Sequence, residues 1–237
     1  MSSAIVLCGG VGSRLGLLTR DMPKPMMTVG GRPFIAHVLD TLCESGVEFV
    51  ILAAGFHWRI IADYVQHDWH GLPVRYSVED IPLGTGGAIH RAMQRNQLEQ
   101  ALVVNGDTLF RIDLGAFLRV PLPDNCDTRV ALRHVSDCGR YGRVSIDGRH
   151  HITAFGEKNR AGAGLINGGI YLQRRRPLVT FGEQAFSFEA DYLSHANGDG
   201  RMVGMPFDSY FIDIGIPEDL QRANRELTEV TGDGATQ

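Results

Sequence analysis

Lysine is almost missing from this chain. Of its 23 basic residues, 21 are arginine and only Lys24 and Lys158 are lysine. Arg and Lys serve about equally as solvated surface charge, whereas a compact ammonium at a phosphate is harder to replace. The two lysines are therefore candidates for function before any motif is read. Other absences exclude whole classes. The four cysteines, Cys8, Cys43, Cys126 and Cys138, form no Cys-x-x-Cys pair, so neither zinc nor a disulfide framework is signalled. Buried free thiols in a reducing compartment are expected. The nine histidines include no His-Glu-x-x-His and read as surface or core residues rather than metal ligands. No Gly-x-Ser-x-Gly elbow marks an esterase, and no Gly-Lys pair exists from which to build a Walker A loop. No apolar run approaches the ~20 residues of a membrane helix. The N-terminal stretch has no basic region and an apolar run too short for a signal peptide, so the cytoplasm is the expected compartment and no membrane is expected as a partner. A net charge of −4 argues against nucleic acid as a partner. Assembly into a homo-oligomer is left open.

What is present is ordinary globular material, 43% hydrophobic and 21% charged over 237 residues. A chain of this length buries roughly 70% of its unfolded surface and needs no staples. Residues 1–230 read as one domain and 231–237 as a frayed polar tail. Residues 4–8 form a short apolar strand, followed by a glycine-rich loop. Residues 32–45 read as a helix with Pro33 in its first turn, Gly46 as its stop and Phe34, Ile35, Val38, Leu39 and Leu42 on one face. Strands are expected at 47–52, 74–78 and 101–105, and helices at 58–66 and 87–95. This alternation predicts an α/β fold with a mostly parallel central sheet covered by helices on both faces. Such sheets bind ligands at the carboxyl ends of their strands, and the loops after residues 8 and 105 fall there together. The second half is richer in strand: 128–135, a hairpin about Asp147-Gly148, 165–172 interrupted by Gly168-Gly169, and 210–214. Residues 188–196 and 217–229 read as helical. The run Arg174-Arg175-Arg176 reads as a solvated helix start, with an anion site as the alternative.

Six short segments carry chemistry. Gly9-Gly10-Val11-Gly12-Ser13-Arg14 follows a strand, so backbone N–H groups can approach phosphate oxygens closely, and Arg14 adds a fork of donors. A dinucleotide fingerprint from Gly10 fails at Leu15, and a plain tight turn would use the same glycines. Pro23-Lys24-Pro25 fixes the backbone on both sides of a lysine and biases it away from helix, giving the ammonium a stiff extended stem. An exposed loop lysine is the alternative. Glu79 with Leu83-Gly84-Thr85-Gly86-Gly87-Ala88 puts small residues at a helix start, where a ribose or base could lie against backbone. Asn105-Gly106-Asp107 aims a carboxylate into the crevice, the usual arrangement for Mg²⁺ beside phosphates. Asp213, inside the apolar Ile212-Asp213-Ile214, needs a cation, a helix N-terminus or an arginine. A structural salt bridge would also account for either aspartate. Glu157-Lys158, with Asn167-Gly168-Gly169 ten residues on, could hold sugar hydroxyls and a sugar phosphate, or be a solvated pair.

In this order the segments resemble the sugar-1-phosphate nucleotidyltransferase family, over about residues 4–226, and both lysines fall on the family's lysine positions. The resemblance implies a Rossmann-like fold whose first part, about 1–125, is mainly nucleotide-binding and whose β-rich second part, about 126–230, is mainly sugar-binding. It implies that Gly10, Val11, Gly12 and Ser13 wrap a triphosphate gripped by Arg14 and Lys24. Leu7, Gly9, Glu79, Gly84, Thr85 and Gly86 would surround base and ribose. Asp107 and Asp213 would hold Mg²⁺. Lys158 would hold the phosphate of a sugar 1-phosphate, with Asn105, Gly142, Glu157 and Asn167 near its ring. Three positions depart from the family's habit: Cys8 for Ala, Leu17 for Pro, and Asn159 for the Pro that often follows Glu-Lys. The stretch from Tyr210 to Asp219 resembles the branch that guanylylates D-glycero-D-manno-heptose 1-phosphate, which implies GTP as partner and a GDP-heptose for bacterial surface polysaccharide. Other family members use UTP or GTP with mannose, N-acetylmuramate, amino-sugar or glucose 1-phosphates. A silent nucleotide-sugar binding protein would be free to lose any of Lys24, Asp107, Lys158 and Asp213, and all four are present.

Overall fold

Apolar strands that alternate with amphipathic helices bury both kinds of apolar surface when the strands pair centrally and the helices cover the two faces. The computed structural model of the chain, which describes residues 3–9, 22–55, 57–156, 161–182, 184–195 and 198–232, has this arrangement. The first half contains β1 (Ser3–Leu7), a 3₁₀ turn at Lys24–Met26, β2 (Thr28–Val29), β3 (Arg32–Pro33), α1 (Phe34–Cys43), β4 (Phe49–Ala54) and α2 (Trp58–Val65). It continues with β5 (Asp68–Trp69), β6 (Leu72–Val78), α3 (Gly84–Arg95), β7 (Gln100–Asn105), β8 (Thr108–Phe110) and α4 (Leu114–Arg119). The second half contains β9 (Thr128–Val135), β10 (Val144–Ile146), β11 (Ile152–Phe155), β12 (Gly164–Arg174), a π-helical segment at Phe188–Leu193, β13 (Met202–Phe207), β14 (Phe211–Asp213) and α5 (Pro217–Gly232).

Strands β7, β1, β4 and β6 lie side by side and parallel, with Leu7 opposite Ala53 on one side and Asn105 on the other. Strand β12 joins β7 antiparallel, and β9, β13 and the β10–β11 hairpin extend from it. The sheet is thus parallel where the sequence alternates strand and helix, and mostly antiparallel in the β-rich second half. Alternate residues feed two cores. Ala4, Val6, Val50, Leu52 and Val104 pack with α1, α4 and α5. Ile5, Ile51, Ala53 and Val103 pack on the other face with α3 and the π-helical segment. Among the described residues no helix is long and apolar enough to cross a membrane.

Several sequence expectations change. Pro33 stands at the N-cap of α1, not inside its first turn. The Asp147-Gly148 hairpin forms with a longer loop: His150 takes the positive φ of 66°, and Asp147 Oδ1 accepts from the Arg149 and His151 N–H groups at 2.8 Å. Strand β12 is not interrupted at Gly168-Gly169; it runs on, and its register against β9 shifts between Asn167 and Tyr171. Cys8, Cys126 and Cys138 are buried, whereas Cys43 is exposed. The arginine run is not a solvated helix start. Arg174 donates to the carbonyls of Leu122, Asp124 and Cys126 at 2.9–3.1 Å. Arg176 pairs with Asp127, which is 1% exposed and also meets Arg201 at 2.7 Å. A buried carboxylate tolerates burial only when it is paired in this way. Replacing Asp127 by Asn is expected to lower the unfolding free energy by about 2 kcal/mol, less than a fully buried pair because both guanidiniums are half exposed. Urea denaturation at unchanged m-value reads the loss.

Candidate active site

The site begins where β1 and β7 end together. The Gly106 N–H donates to the Leu7 carbonyl at 3.0 Å, and the Cys8 N–H donates to Ala53 at 2.8 Å. A Cβ on Gly106 would stand 2.6 Å from the Leu7 carbonyl oxygen, so only glycine permits the chain to turn there. That turn delivers Asp107. The chain returns as β8, which pairs antiparallel with β14 so that Asp213 faces Thr108. The Ile214 N–H then donates to the Asp107 carbonyl at 3.0 Å. Two carboxylates from opposite ends of the sequence are thereby fixed side by side.

Lys24 supplies the opposite charge. Its ammonium forms an ion pair with Asp107 and lies 4.0 Å from Asp213 Oδ1. The extended stem expected from the two prolines is found only at Pro23, with φ −65° and ψ 143°. Lys24 itself opens the 3₁₀ turn, closed by Met26 N–H to Pro23 O at 2.8 Å and Met27 N–H to Lys24 O at 3.0 Å. Pro25, which lacks an N–H, leaves no donor wasted in that turn. Asp213 accepts the Gly215 N–H at 2.6 Å, and Arg140 stands 4.0 Å from its second oxygen. Burial, then the charge of Asp107, push the Asp213 carboxyl above the usual carboxylate range, with Lys24 opposing them. Two adjacent carboxylates, one already resisting ionisation, form a place that a cation would relieve. Among the described residues no three His, Cys, Asp or Glu side chains converge to enclose an ion by themselves. The pair therefore suits a hard divalent cation that keeps waters or takes substrate oxygens to complete its shell.

Around this centre lies a cleft of about 620 Å³ lined by Leu7, Gly9, Lys24, Thr85, Asn105, Asp107, Gly142, Asn167 and Asp213. These are nine of the residues singled out from sequence. Glu79 stands behind them at the end of β6. Its Oε2 accepts the Leu83 N–H at 2.9 Å, and its Oε1 lies 3.8 Å from where a Cβ on Gly9 would be. Burial is the main cause of its raised carboxyl pKa. Gly84 and Gly86 turn toward protein: a Cβ on the first would overlap the Phe186 carbonyl, and one on the second the Phe186 ring. Their smallness is needed by Phe186, and of this trio only Thr85 lines the cleft. Gly10, Val11, Gly12, Ser13, Arg14, Glu157 and Lys158 lie outside the described residues.

Sequence reasoning missed four further residues that line the cleft, Tyr171, Ser187, Phe188 and Glu189. One signal was available. Ser187 precedes a short apolar–acidic run and caps it, its Oγ accepting the Ala190 N–H at 3.1 Å. Cys8 also lines the cleft, its thiol pKa pushed up by burial and by Asp107.

The Asp213 shift makes a prediction with a definite sign. Because its folded pKa is raised, the ionised group costs stability at neutral pH; the cost starts to fall as pH drops to that raised pKa and is gone below the ordinary carboxylate pKa of the unfolded chain. Asp213→Asn is therefore expected to raise the melting temperature of metal-free protein at pH 7, with the gain vanishing in acid. A lowered melting temperature at pH 7 would show that Lys24 and Arg140 outweigh the burial.

The Nucleotidyl transferase family profile matches residues 3–230. The D-glycero-alpha-D-manno-heptose 1-phosphate guanylyltransferase of Campylobacter jejuni is 40% identical over 91% of this chain and 96% of its own. The enzyme of the same description from Aneurinibacillus thermoaerophilus is 37% identical over 94% and 97%. The crystal structure of HddC from Yersinia pseudotuberculosis complexed with GMP-PN superposes with a TM-score of 0.84 at 35% identity, covering 95% of this chain and 99% of that one. With its strand-end carboxylates, its lysine between prolines and a match along nearly its whole length, the chain belongs to the nucleotidyl transferase family.

Proposed function

We propose that this protein transfers a guanylyl group from GTP to D-glycero-α-D-manno-heptose 1-phosphate, releasing pyrophosphate and forming a GDP-heptose for surface polysaccharide. The observation that carries the chemistry is Lys24 held between Asp107 and Asp213 at the ends of adjoining strands. The choice of substrates is supported by likeness, nearly end to end, to two enzymes described as acting on that heptose phosphate. The family generally uses a divalent metal. In this reading the metal is Mg²⁺; Asp107 and Asp213 would hold it, and it would offset phosphate charge.

The sugar phosphate is already an anion at neutral pH, so no general base is required. The difficulty is bringing two polyanions together and stabilising charge at the α-phosphorus. Residues 1–125 chiefly take the nucleotide. Gly10, Val11, Gly12 and Ser13 offer backbone donors to the triphosphate, and Arg14 and Lys24 grip it. Lys24 leaves Asp107 for a phosphate oxygen when GTP arrives. Residues 126–230 chiefly take the sugar. Lys158 holds its phosphate, and Asn105, Gly142, Glu157 and Asn167 stand near its ring. Attack is in line, with inversion at phosphorus.

Guanine is chosen by Glu79. Among the bases only guanine presents two adjacent donors, N1–H and the N2 amino group, and a carboxylate accepts both. Thymine and uracil would instead turn a carbonyl oxygen toward it. Leu83 N–H donates to Oε2, which tethers the carboxylate near Gly9. Leu7, Gly9 and Thr85 complete the surroundings of base and ribose, whereas Gly84 and Gly86 give their space to Phe186.

Pyrophosphate release, measured with four nucleoside triphosphates against heptose, mannose, glucose and N-acetylglucosamine 1-phosphates, tests the reading. GTP with the heptose is expected to dominate; turnover on another pair would overturn the substrate, and absence of turnover the activity. Replacing Lys24 or Asp107 by Ala is expected to lower turnover roughly 10²- to 10³-fold. Wild type is expected to prefer GTP over ITP, which lacks the N2 amino group, by about 10-fold or more. Glu79→Gln should lose most of that preference, and an unchanged ratio would remove Glu79 from base recognition.

A further inference from the structure

Between β9 and β10 the chain makes a short loop, Asp137 to Gly142, that belongs to two neighbourhoods at once. Tyr141 and Gly142 line the cleft, and Arg140 does not. Asp137 closes the loop at one end, its Oδ1 accepting the N–H groups of Gly139 at 3.0 Å and Gly162 at 3.1 Å. Cys138 is fully buried. Its N–H donates to the Gly162 carbonyl at 2.9 Å, and its own carbonyl accepts from Tyr141 and Gly142 at 3.0 Å. Gly142 takes φ +84°, a conformation that other residues adopt at a cost. The Tyr141 ring packs edge-on against Phe211 at 5.6 Å, two residues before Asp213 on β14. The loop that presents Gly142 to the cleft is thus seated against the strand that presents Asp213.

Arg140 adds charge to that seat. Its Nη1 forms an ion pair with Asp219 in the first turn of α5, and its Nη2 stands 4.0 Å from Asp213 Oδ2. Asp219 is 8% exposed. A carboxylate in a first helical turn is favoured by the helix dipole, and Arg222 lies 3.5 Å from its other oxygen, so Asp219 is a fixed anchor. Asp213 is held from the opposite side, where Oδ1 accepts the Gly215 N–H at 2.6 Å and faces Lys24. Its Oδ2 is turned to Arg140. Arg140 Nη2 is buried and has no hydrogen-bond partner among the described residues. A buried donor is costly to leave unmade, so Nη2 is drawn to the carboxylate oxygen it faces. A planar guanidinium presents separate nitrogens to separate carboxylates, whereas a lysine ammonium is one point of charge.

We propose that Arg140 is a positioning residue of the transfer reaction: by bridging Asp219 and Asp213 it fixes the Gly142 loop, which meets the sugar 1-phosphate, relative to the carboxylate at the nucleotide end. This rests on the reading of the cleft given above and adds a residue that touches neither substrate. The two substrates must meet in line at the α-phosphorus, and a displacement of about 1 Å between them lowers turnover by roughly 10²-fold. The Asp219 contact seats the loop and so governs sugar binding. The Asp213 contact sets the loop's offset and so governs turnover.

Steady-state kinetics on Arg140→Gln and Arg140→Lys separate the two contacts. Arg140→Gln breaks both, and Arg140→Lys keeps a charge for Asp219 alone. Arg140→Gln is expected to raise KM for the sugar 1-phosphate about 10-fold and to lower kcat roughly 10- to 100-fold, with KM for GTP within about 3-fold. Arg140→Lys should recover the sugar KM to within about 3-fold of wild type and leave kcat low. An arginine that merely holds the fold gives no such split. Wild-type constants in Arg140→Gln would overturn the proposal, as would kcat restored by lysine or a GTP KM that rises as far as the sugar KM. Calorimetric titration of the heptose 1-phosphate, with a non-hydrolysable GTP analogue and Mg²⁺ present, reads the seating without turnover: Arg140→Gln should bind about 10-fold more weakly and Arg140→Lys like wild type. Weaker binding by Arg140→Gln together with a wild type that does not turn over would support the seating and remove the function proposed above. Wild-type turnover with binding and kcat unchanged in Arg140→Gln would do the reverse.

Discussion

Two carboxylates held side by side must be balanced by positive charge, and the architecture of this protein answers that constraint. Asp107 and Asp213 stand together because β8 and β14 pair in one register. Lys24 reaches both, and Arg140 approaches Asp213 from the other side while pairing with Asp219 at the start of α5. Two neighbouring carboxylates that share one lysine form a place that a further cation would relieve. Burial first, and then the Asp107 charge, hold the Asp213 carboxyl above the usual carboxylate range.

The rest of the fold supplies rigidity where this charge arrangement needs it. Gly106 lets the end of β7 press against Leu7, so Asp107 leaves directly from the central sheet. Far from the cleft, Arg129 donates to the carbonyls of Phe117, Val120 and Pro121 at distances up to 3.0 Å. Arg174 does the same for the segment before β9. These arginines bind backbone carbonyls through forked geometry that lysine does not offer, which gives a structural reason for arginine at those positions. Lys24, by contrast, sits where a compact ammonium between two carboxylates is wanted.

How legible this was depended on how local the physics is. The central strands were visible because a buried parallel strand is a short apolar run, and Gly9 after β1 and Asp107 after β7 line one cleft because strand ends in such sheets converge. Asp213 was found because a carboxylate inside an apolar strand needs a partner. Strand β8 was missed since three residues carry no period, and β13 because Gly204 and Pro206 argue against a strand, although an edge position accepts them. The glycines at 84 and 86 read as room for a ligand and proved to be room for Phe186, a contact made by chain some hundred residues on.

The most direct test of the account is a crystal structure with a non-hydrolysable GTP analogue and Mg²⁺. The account predicts the ion between Asp107 and Asp213, with the Lys24 ammonium moved from Asp107 to a phosphate oxygen. An intact Lys24–Asp107 pair, or an ion bound by other residues, would contradict it.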